Sequence, residues 1–401
     1  MLKCLLKRKR THYYLQKGEN QLDKAGIIGL FEKVAENPDW QARQWKKEKG
    51  GKIIGFLLTD VPEELIHAAG FLPYGICGGR SRLDRANAHL QIWACSFVRS
   101  SLALALERKL DFLDGLIIPQ TCDTTRMVFG IWQHASPLPF LQNFRLPRQV
   151  DRPSAREYLI GELARLKEQL EIYRGAKIST EELQNSIKLY NRNRSLLRKL
   201  YHIHEQNPAS LSAKALYTLL KGSMLMPREK VNELLTELLK ALEGETTPPG
   251  EYIRLIISGT LLEPFELLDY LEEGGGIVVG DDLQNGFRYI DGEVKEDVEP
   301  LEALADRQLN RLPFAGYDQA RNPRRYFLSR MAVGKKAQGV IFLHLKYCEP
   351  ENYDYYDNAQ ALEKAGIPTI RIETEFGTTS LGQIRTRVQA FLEMVGGVIN
   401  D

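Results

Sequence analysis

Paired cysteines are missing from this chain. Its five, Cys4, Cys77, Cys95, Cys122 and Cys348, are an odd set at wide spacing, and no two form a C-x-x-C unit. That argues against a disulfide framework, and against the compact ligand runs of a zinc ribbon or a ferredoxin. No G-x-x-x-x-G-K-[S/T] run is present, so ATP hydrolysis through a P-loop is not expected. Neither H-E-x-x-H nor a Ser–His–Asp grouping can be read. No stretch reaches the roughly 18 apolar residues that span a bilayer, and charges interrupt the N-terminus before a secretory core can form. The expectation is a cytoplasmic protein with reduced thiols and no membrane partner. An excess of one charge sign is also lacking: the net charge is +2, which gives no overall field to attract nucleic acid. The Lys7-Arg8-Lys9-Arg10 run reads as a solvated tail.

What the chain does have is a full complement of core-forming residues. Of its 401 residues 43% are hydrophobic and 26% charged, so it can fold as a globular protein of roughly two to three domains. Residues 1–48 read as a helical N-terminal segment, with Ile27, Leu30, Phe31 and Val34 on one face. Strand-like and helical runs then alternate over 49–150. KIIGFLLTD (Lys52–Asp60), LPYGIC, LDGLIIPQTCD and PFLQNFRLP are the strand candidates, and Pro62 stands in the first turn of a helix. Over 151–245 the period is helical throughout. Leu159, Leu163, Leu166 and Leu170 mark one stripe, and Ser179-Thr180-Glu181-Glu182 is a capping box. After the breaker-rich EGETTPPGE, a second alternating region fills 246–401, with YIRLIISG, GGGIVVGDD, KAQGVIFLHLKYC and GIPTIRIETE as strands. The predicted fold class is α/β: two doubly wound parallel-sheet lobes, a helical segment joining them and a helical N-terminus.

Three cysteines occupy the positions where such a fold places working residues. Cys122 and Cys348 each end an apolar strand run, and Cys95 opens a helix. Ligands of open parallel sheets bind outside the carboxyl ends of the strands, and a helix N-terminus favours a thiolate. Free cysteine also packs readily as a small hydrophobe, so five in this length need no special explanation. Their placement is what points to a shared iron–sulfur site. Asp60, Glu263, Asp281-Asp282 and Glu373 stand at other strand ends, with a weaker signal. His67 and His344 are expected to pack, and Gly274-Gly275-Gly276, which precedes a strand, to stop a helix.

The wording of these segments carries a resemblance. In order come PEELIHAAGFLPYGICGG, CSFVRSSLALALERKLDFLDGLIIPQTCDTTR, GVIFLHLKYCEP, then GIPTIRIETEF with GQIRTRVQAFLEM. Together they resemble the 2-hydroxyacyl-CoA dehydratase and benzoyl-CoA reductase family, iron–sulfur subunits related to the D-component of 2-hydroxyglutaryl-CoA dehydratase. The similarity runs from about residue 39 onward and includes LYNRNRSLLRKLY of the helical insert; the stretch near Trp40 and Trp45 is similar to a benzoyl-CoA reductase small subunit.

The resemblance implies one [4Fe–4S] cluster held by Cys95, Cys122 and Cys348, one from each matching motif, leaving one iron with an exchangeable position. Cys77 is outside that set and is expected to pack, a fourth-ligand role being the alternative. It also implies an acyl-CoA substrate and an ATP-hydrolysing iron–sulfur activator that injects a low-potential electron. That electron at the thioester carbonyl makes a ketyl radical anion, which expels a leaving group or is reduced further. A related second subunit is implied, identical or paralogous. Arg99, Arg126 and Lys346 flank the cysteine motifs as candidates for CoA or activator contact, a surface or core ion pair being the equal alternative for each. Two rival readings remain: an electron-relay subunit with no substrate site of its own, and a two-lobed small-ligand binder with no cluster.

Overall fold

The computed structural model describes residues 22–397 apart from 80, 246–249, 322 and 378–379; Cys4 and the Lys7–Arg10 run lie outside the described residues. The architecture is α/β. Four parallel strands, β1 (Ile53–Leu57), β2 (Leu72–Ile76), β3 (Gly115–Gln120) and β4 (Phe140–Arg145), form one sheet in the order β2-β1-β3-β4. A second sheet of β5 (Ile253–Gly259), β6 (Gly276–Asp281), β7 (Gly339–Leu345) and β8 (Thr369–Thr374) has the order β6-β5-β7-β8, again all parallel. The two orders are the same. In each sheet the winding reverses between the first and third strands, β1 and β3 or β5 and β7, which is where doubly wound folds open a crevice.

Central strands of parallel sheets are covered on both faces, which explains their near-continuous apolar runs. All residues of β1 and β7 are buried. The run Lys52–Asp60 nonetheless yields only a five-residue strand, because the chain turns at Leu58, whose φ is 57°. Thr59 and Asp60 are thereby turned into the interior, where both are buried.

The insert consists of helices Pro153–Arg174, Thr180–Gln206, Ala213–Ser223 and Arg228–Leu242. The Ser179 capping box forms as expected: Ser179 Oγ accepts from Glu182 N at 3.1 Å, and Ser179 N donates to Glu182 Oε2 at 2.8 Å. Leu159, Leu163, Leu166 and Leu170 are all buried. These helices hold both sheets. Gly75 N of β2 donates to Met224 O at 2.8 Å, and His204, on the second helix, lies 3.1 Å from Val278 O of β6. One apolar cluster accordingly runs from the first sheet through the insert into the second. At the N-terminal end, helix Lys24–Glu36 packs on the insert through Ile27, Phe31 and Val34. Helix Pro38–Lys49 packs against that helix and reaches the first sheet's lobe through Lys46, which bonds Asp114 Oδ2 at 2.8 Å. Gly275, with φ 76°, lets the helix Glu266–Glu273 stop and turn into β6, as the glycine triplet suggested.

Candidate functional site

Cys122 lies just past β3 and Cys348 just past β7, the equivalent strand in each sheet. Each is the N-cap of the helix that follows, Asp123–Ala135 and Glu349–Lys364, and Cys95 is the N-cap of Ser96–Leu106. The backbone before each helix is extended, with ψ of 174° at Cys122, 93° at Cys348 and 143° at Cys95. All three candidate ligands therefore stand at the positive ends of helices, where backbone N–H groups lack intrahelical partners and favour negative charge.

Their electrostatics ties them together. Burial pushes the Cys95 thiol up to about 12, with Cys122 as the next contributor. Burial also raises the Cys348 thiol, followed by the fields of Glu351 and Cys95. Cys95 thus feels both of the others. Buried thiols such as Cys95 and Cys348 stay protonated until a cation shares them, and metal binding then releases their protons. Among the described residues no group of three or more His, Cys, Asp or Glu converges on a single metal ion. The thiolates of a cubane bind different irons, so its donors need not converge in that way. Three free thiols at three helix N-termini fit a thiolate-held cluster.

Cys77 is differently placed. Its thiol donates to Gly75 O at 3.7 Å, and after burial the charges that act on it are Lys221, Glu263 and Glu63. It packs against the main apolar cluster.

The flanking cations separate into two kinds. Arg99 is buried, donates through Nε to Ala94 O at 2.9 Å and pairs with Glu375, so it is an internal tie. Arg126 is exposed, with Asp123 Oδ1 at 3.8 Å, and Lys346 is half-exposed over the Tyr347 ring, 5.1 Å from its centroid. Exposed apolar side chains adjoin all three motifs: Ile92 and Trp93 before Cys95, Met127 after Cys122 and Tyr347 before Cys348. Both histidines are accounted for by packing. His67 lies 3.0 Å from Ser186 Oγ and 3.0 Å from Glu229 Oε1. His344 stands edge-on to Phe342 and Tyr355, and burial first, then Arg371 and Arg324, depress it to about 3.

Buried charge networks were not legible in the sequence. Asp60 accepts from Gln308 Nε2 (2.9 Å), Gln284 Nε2 (3.0 Å), Arg288 Nη2 (3.2 Å) and Arg311 Nη1 (3.2 Å), all from far along the chain. Asp281 takes the hydroxyls of Tyr217 (2.7 Å) and Tyr201 (2.9 Å) from the insert. Asp282 holds Arg324 Nε at 2.8 Å, and Arg324 Nη1 reaches Glu351 Oε2 at 2.7 Å. Glu351 stands three residues past Cys348. No local pattern marks Arg324, which opens a helix just after Pro323 and before Arg325. Glu373, by contrast, makes a surface pair with Arg371 at 3.2 Å.

Two cavities are small. One, of about 180 Å³ among His204, Leu268, Leu271 and Val278, lies at the amino ends of the second sheet, away from the cysteines. Another, of about 190 Å³, is lined by Lys346, Thr374, Glu375 and Arg387 at the carboxyl ends of β7 and β8, on the Cys348 side.

The family model described as 2-hydroxyglutaryl-CoA dehydratase, D-component, matches residues 58–395. The chain is similar to the beta subunit of lactoyl-CoA dehydratase of Anaerotignum propionicum, at 30% identity over 92% of the chain and 98% of the relative. It is similar to one of the subunits of benzoyl-CoA reductase of Thauera aromatica, at 30% identity over 92% and 98%. The beta subunit of (R)-2-hydroxyglutaryl-CoA dehydratase of Acidaminococcus fermentans is 27% identical over 92% of this chain and 99% of its own.

Proposed function

Because this chain belongs to the 2-hydroxyglutaryl-CoA dehydratase D-component family, we propose that it is the [4Fe–4S] subunit of an acyl-CoA-processing enzyme of the 2-hydroxyacyl-CoA dehydratase or benzoyl-CoA reductase type. Cys95, Cys122 and Cys348 hold the cluster. The observation that carries this reading is the arrangement of the three thiols, each the N-cap of a helix, two of them after the equivalent strands of two like-ordered sheets. When bound, the cluster supplies one-electron chemistry at low potential, fed by an ATP-hydrolysing activator and directed to a CoA thioester.

The chain's own groups prepare for that role. Helix N-termini offset the negative charge that three thiolates bring. The Arg99–Glu375 pair holds the Cys95 helix against the opposite lobe. Arg126 and Lys346 present accessible positive charge beside Cys122 and Cys348, suited to the phosphates of CoA or to an acidic face of the activator. Ile92, Trp93, Met127 and Tyr347 surround the motifs with exposed apolar surface, as an interface with a related second subunit requires.

Anaerobic purification or reconstitution tests the reading. Expected are close to four irons and four sulfides per chain, and loss of most of that iron in each of Cys95→Ser, Cys122→Ser and Cys348→Ser. Cys77→Ser should keep its iron. A colourless wild-type protein of normal melting behaviour would instead favour the binding-protein reading.

A further inference from the structure

We propose that Thr260 is a positioning residue for Cys348, its hydroxyl proton held by Glu351 in the cluster-free chain and turned onto the Cys348 sulfur when that sulfur is a ligand. Thr260 directly follows β5 and is buried, with Oγ1 3.5 Å from Cys348 Sγ and 3.3 Å from Glu351 Oε1. A hydroxyl has a single proton to donate. While the thiol keeps its own proton, S–H donates to Oγ1 and the Thr260 O–H donates to the Glu351 carboxylate. A ligand sulfur has no proton and only accepts. The Thr260 O–H can then turn to face it, beside the Glu351 backbone N–H.

The groups behind Thr260 make that exchange inexpensive. Glu351 does not depend on Thr260, because its Oε2 already takes Arg324 Nη1 at 2.7 Å. Arg324 is fixed in turn: Nε donates to Asp282 Oδ2 at 2.8 Å and Nη2 to Ser258 Oγ at 3.1 Å. Asp282 is anchored by Gly259 N at 3.1 Å and Ser258 Oγ at 3.2 Å. Ser258, Gly259 and Thr260 are consecutive, so the same β5 terminus fixes both the array and the hydroxyl it serves. Asp354 and His344 face this array as well, with Asp354 Oδ2 3.6 Å from Arg324 Nη1 and His344 Nε2 3.7 Å from Glu351 Oε2. Outer partners of this kind orient metal ligands and tune the metal. A hydrogen bond to a ligand sulfur stabilises the more negative, reduced cluster and so raises its potential.

The inference rests on the cluster reading above, and one experiment separates their failures. Iron, sulfide and the cluster's midpoint potential are measured for the holoprotein and for Thr260→Val and Thr260→Ser. Thr260→Ala replaces Val should the second methyl not be accommodated. Expected is full iron in all, the wild-type potential in Thr260→Ser, and about a tenfold lower reduction equilibrium constant without the hydroxyl, which for one electron is about 59 mV more negative. Full iron with an unchanged potential in the hydroxyl-free variant overturns the inference and leaves the cluster reading intact. A wild-type chain that takes up no iron overturns both.

Discussion

Arg99, four residues beyond Cys95, pairs with Glu375, just past β8 in the other lobe. A second bond runs alongside, Phe376 N donating to Ser96 Oγ at 3.1 Å. The helix that Cys95 caps is thus tied to the segment leaving the second sheet, and the distance between lobes is set close to the candidate ligands. Removing one member of a buried pair leaves the other uncompensated, at about 3–5 kcal/mol. Glu375 retains some contact with water, which places Arg99→Met at the lower end of that range. Arg99→Lys should not restore stability, since it loses the Nε bond to Ala94 O. Urea denaturation of the cluster-free chain checks both.

Asp60 gives a stronger case. Burial alone would raise its carboxyl, but Arg288 and Arg311, with the amides of Gln308 and Gln284, reverse that and hold it below the ordinary carboxylate range. Asp60→Asn leaves two buried guanidiniums against a neutral amide. A loss of about 3–5 kcal/mol is expected by the same measurement.

Asp281 should make stability fall as pH rises. Burial pushes its carboxyl up to about 6 from an ordinary 3.8, against the hydrogen bonds of Tyr217, Phe287 N, Tyr201 and Leu283 N. Between those values the folded chain binds more proton at this site than the unfolded chain, so the contribution is full below pH 4 and is lost as pH climbs through 6. The shift amounts to roughly 3 kcal/mol. Asp281→Asn can keep its acceptor oxygen on the two backbone N–H groups and has no such slope. Unfolding free energies of wild type minus variant, measured from pH 4 to pH 7, should therefore decline; a flat difference would sink the assignment.

Gly259 admits no side chain. A Cβ there would stand 2.1 Å from Leu343 O on the neighbouring β7 backbone. Gly259→Ala must force β5 and β7 apart at the point from which Thr260 reaches Cys348. A loss above about 4 kcal/mol, or failure to accumulate as folded protein, is expected. Circular dichroism of the purified chain gives the answer.

Much of this architecture was readable because it is local. Apolar runs such as GVIFLHL and GLIIPQ announce buried parallel strands, Ser179 and Glu182 announce a helix start, and the position of Cys122 and Cys348 after such runs follows directly. The limit of β1 was not readable, since the turn at Leu58 uses a positive φ that leucine does not advertise. Nor were the side-chain partners of Asp60, Asp281 and Asp282, which lie tens to hundreds of residues away along the chain. Local sequence could not choose between CoA or activator contact and an ion pair for Arg99, whose partner Glu375 lies 276 residues away; the structure shows the buried pair.

Side-chain period and capping chemistry act within a few residues, and so the strand segments, the helix starts and the place of the cysteines after strands or at helix starts were determined by sequence alone. Which charges meet was decided by the tertiary structure. A buried carboxylate needs a partner from any element that packs against it, and only the pairing of β5 with β7 and the packing of helix Arg324–Gly334 on helix Glu349–Lys364 bring Thr260, Glu351 and Arg324 together beside Cys348.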